Sequence, residues 1–238
     1  MITNKGERQL NEDSITVAEF NGNYLFVLAD GLGGHGHGEV ASSIVTSSAK
    51  ALIDDSMDYR FPHKLLSSVF DNAQSALLQK QKDEQDSSSF KTTAVLLLVN
   101  DALVQWGYIG DSRLYYFRKN RLIRHTLDHS VPQMLVSAGL IKEREIRGHE
   151  DRSKLLRVLG TQYDSVKYVV ESSVIREKGQ AFLLCSDGFW EWIDEKTMTK
   201  LLKKSHSAQE WLDMMVVEVQ KNGTGNQMDN FSAIAVLL

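Results

Sequence analysis

The sequence predicts an α+β protein in which helical layers pack on largely antiparallel sheets. Three observations carry this. Apolar, strand-like runs succeed one another across short turns, as at Thr93–Val99, Leu103–Ile109 and Arg113–Arg118. Strands joined so tightly cannot be parallel neighbours, which need crossovers of about a dozen residues or more. Helical patterns arrive in pairs and do not alternate with strands, which argues against a doubly wound parallel sheet. Only two prolines occur in 238 residues and no Pro/Ser-rich linker is visible, so residues 1–238 read as one domain without internal repeats.

The elements follow in order. Ile15–Phe20 and Tyr24–Ala29 flank Asn21-Gly22-Asn23 and read as a hairpin. From Glu39 to Ile53, Val40, Ile44, Val45 and Leu52 recur at helical spacing. Pro62 opens a second helix with Leu65, Leu66, Val69, Phe70, Ala73 and Leu77 on one face. The polar run Gln79–Ser89 reads as a loop. Three strands follow, with turn chemistry at Asn100-Asp101 and Gly110-Asp111. Val131–Glu150 is helix-like and charged toward its end. Strands resume at Val166–Val170 and Ala181–Cys185. A helix around Ala208–Val219 precedes a final strand, Phe231–Leu237.

Composition narrows the class. Hydrophobic content of 42% and charged content of 24% are those of an ordinary soluble globule. A net charge of -4 gives no electrostatic reason to expect nucleic acid or an anionic membrane as partner. The single cysteine, Cys185, excludes an intrachain disulfide framework and fits a reducing compartment. The polar N-terminal residues and the lack of a long apolar stretch predict a cytoplasmic protein, and a monomer is the expected state.

Four aspartates lie at strand ends: Asp30 in LFVLAD, Asp111 in WGYIGD, Asp187 in FLLCSD, and Asp229 just before the last strand. Strand ends of one layer can converge, and converging carboxylates repel one another unless a cation holds them. All-oxygen acidic clusters suit Mg²⁺ or Mn²⁺, and two such ions can activate water against a phosphate ester. A lone Asp-Gly is ordinarily a hairpin turn. That reading weakens at Asp187, followed by Phe-Trp-Glu-Trp, and at Asp30, followed by glycines and histidines.

The segment Gly31–Glu39 contains a G-x-G-x-x-G pattern between a strand and a helix, as a dinucleotide-binding turn would. Asp30 would set a negative charge beside the pyrophosphate, Asp54 and Asp55 do not end a strand, and the first strand belongs to a hairpin. The Gly-Lys-Ser/Thr ending of a P-loop is missing. His35 and His37 form an H-x-H pair that can open a zinc site, and solvated loop histidines are the plainer reading. Arg8, Glu12 and Asp13 read either as a solvated segment or as a guanidinium fork for phosphate beside acids of a metal cluster. Cys185, inside an apolar run, reads as a buried small hydrophobe.

In this order the motifs resemble the metal-dependent serine/threonine protein phosphatases of type 2C. The matching stretches are Gly6–Ser14, Leu28–Ser42, Lys91–Ala94, Trp106–Phe117, Thr126–Gln133, Leu155–Gly160, Phe182–Trp190 and Asp229–Leu238. The Gly-Gly-His form of the second motif and the compact length resemble the bacterial branch.

The resemblance implies a four-layer αββα sandwich with two core Mn²⁺ or Mg²⁺ ions and a third, weaker one. It implies that Asp30 bridges the core metals, that the Gly31 carbonyl binds one, and that Asp187 and Asp229 bind the other. Glu12 and Asp13 join the cluster, and Asp111 with Asp187 matches the third site. Arg8 matches the arginine that holds the substrate phosphate, and Asp128–Arg157 matches a flap beside the site. The implied activity is hydrolysis of phosphoserine and phosphothreonine in a protein substrate by a metal-activated water, opposed by a serine/threonine kinase. A non-catalytic phosphoprotein-binding regulator on the same fold is the alternative, and intact Asp30, Asp187 and Asp229 argue against it. Leu32 stands where some relatives carry a histidine proposed as general acid, leaving His35 or a metal-bound water for that role. Lys91 stands where the threonine motif usually begins with a small residue.

Overall fold

Strand β4 (Ala94–Val99) is buried at every position, and its alternate side chains serve two different cores. Leu96 and Leu98 face a helical layer, whereas Val95, Leu97 and Val99 face a second sheet. A strand covered on both faces reads as a continuous apolar run. The same holds for β10 (Gln180–Cys185), where Leu183 and Cys185 face helices and Phe182 and Leu184 face the opposing sheet. The computed structural model describes residues 1–33, 37–53, 61–164 and 167–238.

One sheet contains β2 (Asp13–Phe20), β3 (Asn23–Asp30), β4, β5 (Leu103–Ile109) and β8 (Val169–Val170) in that order, with β9 (Val174–Ile175) also pairing β5. The other runs β1 (Ile2–Asn4), β11 (Phe231–Leu237), β10, β6 (Arg113–Arg118) and β7 (Arg121–His125). The named strand pairings are all antiparallel. Helices α1 (Gly38–Leu52) and α2 (Pro62–Asp83) cover the first sheet. Helices α4 (Asp187–Trp190), α5 (Glu195–Leu202) and α6 (Ala208–Gly223) cover the second. Four layers result, helix, sheet, sheet, helix, as expected from the sequence.

The β2–β3 hairpin turns at Asn21 (φ 48°) and Gly22 (φ 75°), the two left-handed positions of the turn that matches strand twist. Pro62 opens α2 as expected. Two expectations fail. The run Gln79–Ser89 is not all loop, because α2 continues to Asp83. Gln79–Asp83 and Lys80–Glu84 contacts at i,i+4 support this last turn, and the buried Gln81 amide donates to the carbonyls of Ser89 and Gly160. Val131–Glu150 is not one helix: α3 (Val131–Ser137) stops before Gly139, whose φ of 73° is left-handed, and only a short 3₁₀ turn follows at Glu143–Glu145. Val166 lies outside the described residues, so that strand is observed only as β8.

Candidate active site

Antiparallel pairing brings the aspartates together. Asp13, the first residue of β2, stands directly opposite Asp30, the last of β3. The start of β4 pairs with the end of β5, so Asp111, just past β5, comes to the same rim. In the other sheet Cys185 pairs with both Arg113 and Ala233, which sets the end of β10 beside the starts of β6 and β11. Asp187 and Asp229 therefore meet the first group where both sheets end. Glu12, Asp30, Gly31, Asp111, Asp187 and Asp229 line one cleft of about 700 Å³, with Arg8 at its edge. Asp13 lies behind this surface, buried.

Each acid is held by its own backbone surroundings. The Asp30 carbonyl accepts from Thr92 Oγ1 (2.8 Å) and Thr93 N (2.9 Å), so the backbone before Gly31 is held in place. The indole Nε1 of buried Trp190 donates to the Asp111 carbonyl (3.0 Å). Gly188 lets α4 begin against the start of β11, since a Cβ there would stand 2.1 Å from the Asn230 carbonyl. Asn230 is a hub. Its Nδ2 donates to the carbonyls of Lys5 and Leu10, and its Oδ1 accepts from Glu12 N, which ties the segment carrying Arg8 and Glu12 to β11. Arg8 Nη2 then donates to Asp229 Oδ2 at 2.7 Å.

The electrostatics are those of crowded carboxylates withdrawn from water. Burial raises the Asp13 carboxyl to about 7, against hydrogen bonds from Ser186 and Ser232 that lower it. Burial first, and neighbouring aspartates second, push Asp30 and Asp111 well above the usual carboxylate range. Asp187 is raised by burial and by Asp229. Glu12 is raised by burial, then by Glu39 and Asp229. Ser186 Oγ donates to Asp13 Oδ2, whereas Asp13 Oδ1 is buried without a partner among the described residues. Among those residues no three His, Cys, Asp or Glu side chains stand as a finished ligand cage. The donor set is all oxygen, strongly acidic and short of positive charge, which fits hard divalent cations.

The structure gathers Glu12, Asp30, Gly31, Asp111, Asp187, Asp229 and Arg8 along one cleft, with Asp13 buried behind it. His35 lies outside the described residues. His37 is the left-handed residue before α1, and its ring stacks on Phe90 at 4.7 Å. Cys185 is fully buried, with burial pushing its thiol up. Sequence reasoning assigned no role to Asn230, Trp190, Thr92, Thr93 or Ser186. For Asn230, Trp190 and Ser186 the only signal was polar or aromatic character close to an aspartate at a strand end, and for Thr92 and Thr93 it was their place in the Lys91–Ala94 motif.

The family model for protein phosphatase 2C matches residues 4–231. The chain is 31% identical over 220 residues to the serine/threonine protein phosphatase PstP of Mycobacterium tuberculosis, covering 92% of this chain and 41% of that one. It thus spans less than half the length of that relative. It is 30% identical over 244 residues to the serine/threonine phosphatase stp of Listeria welshimeri, covering 98% and 93%. A crystal structure of the PstP catalytic domain in complex with two manganese ions superimposes with a TM-score of 0.82 at 28% identity, covering 100% and 96%.

Proposed function

This chain belongs to the protein phosphatase 2C family, and from that premise we propose that it hydrolyses phosphoserine and phosphothreonine esters in proteins with a metal-activated water. The observation that carries the reading is the convergence of Asp30, Asp111, Asp187 and Asp229 on one cleft edged by Arg8. Asp30, the Gly31 carbonyl, Asp187 and Asp229 would hold two core ions, with Glu12 and Asp13 supporting them and Asp111 serving a third, weaker one. Bound there, Mn²⁺ or Mg²⁺ supplies Lewis acidity toward phosphoryl oxygens and lowers the pKa of an attacking water.

The chain's own groups do the rest. Arg8 presents a planar guanidinium at the cleft edge, suited to two phosphoryl oxygens at once. Thr92 and Thr93 keep the Asp30 carbonyl, and hence Gly31, in register with β4. The segment Asp128–Arg157 contributes Ser153, Leu155 and Leu156 to the cleft wall, which supports its reading as a flap that meets the peptide around the phosphoresidue. His35 is retained as a candidate general acid on sequence grounds alone.

No described helix is long and apolar enough to cross a membrane. The proposed setting is the cytoplasm, as a monomer, opposite a serine/threonine kinase. The test is hydrolysis of p-nitrophenyl phosphate and a phosphothreonine peptide under Mn²⁺ and Mg²⁺ titration. Activity is expected to depend on added metal and to vanish with EDTA. Full turnover by rigorously metal-stripped protein would refute the mechanism, and binding of phosphopeptide without turnover at any metal concentration would favour the regulator.

A further inference from the structure

Two cations line the cleft among the described residues, Arg8 and Lys91. They differ in one respect. Arg8 is already engaged by Asp229 at 2.7 Å. The Lys91 ammonium has no side-chain partner among the described residues, although five carboxylates line the same cleft. Its backbone, by contrast, is tightly held. The Lys91 carbonyl accepts from Leu32 N (2.9 Å), and Thr92 exchanges hydrogen bonds with Leu159 in both directions. Gly160 passes close enough that a Cβ there would stand 3.3 Å from the Lys91 Cα. The half-buried Lys91 is thus carried on a three-way junction between Asp30-Gly31-Leu32, β4 and the Leu159–Gly160 segment.

A cation without an internal anion, at the wall of an otherwise acidic cleft, is placed for an anion that arrives from outside. The phosphoryl group is accounted for at the acidic end beside Arg8. The cleft lining also includes Leu32, whose N donates to the Lys91 carbonyl, and Val158 and Tyr163, surfaces suited to peptide flanking the phosphoresidue. An overall charge of -4 disfavours anionic peptides, so one local cation weighs in the choice among them. We propose that Lys91 is a specificity-determining residue that selects phosphopeptides with a second anionic group, a carboxylate or another phosphoryl, flanking the phosphoresidue. The proposal rests on the phosphatase reading and names the substrate class of that site.

The test compares kcat/KM on four phosphothreonine peptides of one length whose flanking residues are glutamate, glutamine, lysine or a second phosphothreonine, with p-nitrophenyl phosphate as the reference lacking flanks. The wild-type protein is expected to prefer the glutamate over the glutamine peptide about fivefold, the equivalent of about 1 kcal/mol, carried mainly in KM. Lys91→Ala is expected to bring that ratio close to one, and Lys91→Glu to turn the preference toward the lysine peptide. A preference confined to the doubly phosphorylated peptide assigns the subsite to phosphoryl groups, and one shared with the glutamate peptide assigns it to anions generally.

A glutamate-to-glutamine ratio and a doubly-phosphorylated-to-glutamine ratio both left unaltered by Lys91→Ala would overturn the proposal. So would an equal fall on all four peptides and p-nitrophenyl phosphate, which would put Lys91 at the reacting centre. Absence of turnover on every substrate with metal present would refute the phosphatase reading itself. Turnover without charge preference would refute only the role of Lys91.

Discussion

Replacing Asp128 with alanine is expected to destabilise the protein more than removal of any ion pair on its surface. Asp128 Oδ1 and Oδ2 accept from Arg113 Nε (2.8 Å) and Nη2 (2.7 Å), a bidentate pair whose side chains are 1% and 2% exposed. The guanidinium also donates to Tyr115 Oη (3.1 Å) and lies 3.7 Å from the centre of a Trp190 ring. Removing the carboxylate leaves a buried cation without its counter-charge, at a cost of about 3–5 kcal/mol. In a chain of this length that lowers Tm by about 6–20 °C. The assay is calorimetric or circular-dichroism melting, with Glu84→Ala as the control. That variant breaks the exposed, solvent-screened Lys80–Glu84 pair and is expected to leave Tm nearly unchanged. The double replacement Arg113→Met with Asp128→Leu is expected to recover most of the loss, since an apolar pair demands no desolvated charge. Because Trp190 also holds the Asp111 carbonyl, kcat of Asp128→Ala is expected to fall even at temperatures where it stays folded. An Asp128→Ala protein melting within about 2 °C of wild type would refute the reasoning.

Three further outcomes are expected. Asp187→Asn and Asp229→Asn should each lower kcat by orders of magnitude while far-ultraviolet circular dichroism stays native; a loss below about threefold, ~0.7 kcal/mol, would remove them from the ligand set. Arg8→Ala should raise KM for a phosphopeptide with a smaller fall in kcat, by about ten- to hundredfold in kcat/KM, and Arg8→Lys should restore only part; an unchanged KM counts against Arg8 as the phosphate anchor. His129, stacked on Tyr108 and accepting from Gly110 N through Nδ1, is lowered by burial from 6.5 to about 4, so it folds neutral. A lowered base contributes stability that is complete above about pH 6.5 and is lost as pH falls toward 4, about 2 kcal/mol by pH 5. Urea unfolding should therefore show a smaller stability difference between wild type and His129→Gln at pH 5 than at pH 7.5, and a difference constant with pH would contradict it.

What could be read from the sequence follows from how burial writes itself into side chains. Strands β4, β5, β6, β10 and β11 sit in sheets covered on both faces, so their apolar runs were legible without ambiguity. Edge strand β7, RLIRH, has only half-buried or exposed residues, and β1 has three residues in all, so neither leaves a periodic signal. The terminal turn of α2 was hidden because its stabilising contacts are polar, including a buried glutamine bonded to Gly160 79 residues away. The apolar spacing of Val131–Glu150 imitated a helix that Gly139 ends. At the site, each aspartate was visible as a break in an apolar run. The Asn230 hub and the Trp190–Asp111 contact were not, since they join residues that are 218 and 79 apart in the chain.

The Arg8–Asp229 contact links those two levels of legibility. Its side chains are 58% and 37% exposed, so water screens the pair and its net worth is about 1 kcal/mol or less. A buried pair of the Arg113–Asp128 kind could not be opened at that cost. Position therefore separates two arginines that look alike in the sequence. Arg113 is locked by burial and serves to hold β6, Asp128 and Trp190 together. Arg8 lies on a segment anchored by the contacts of Asn230 with Lys5, Leu10 and Glu12, and its exposed guanidinium could leave Asp229 with little loss, as its proposed role toward a phosphoryl group requires. If Asp229 holds a cation as proposed, its hold on Arg8 would weaken, so metal binding and the availability of Arg8 for phosphate would favour each other. Phosphate or a phosphopeptide should accordingly bind more tightly at saturating than at limiting Mn²⁺, and Asp229→Asn should diminish that coupling.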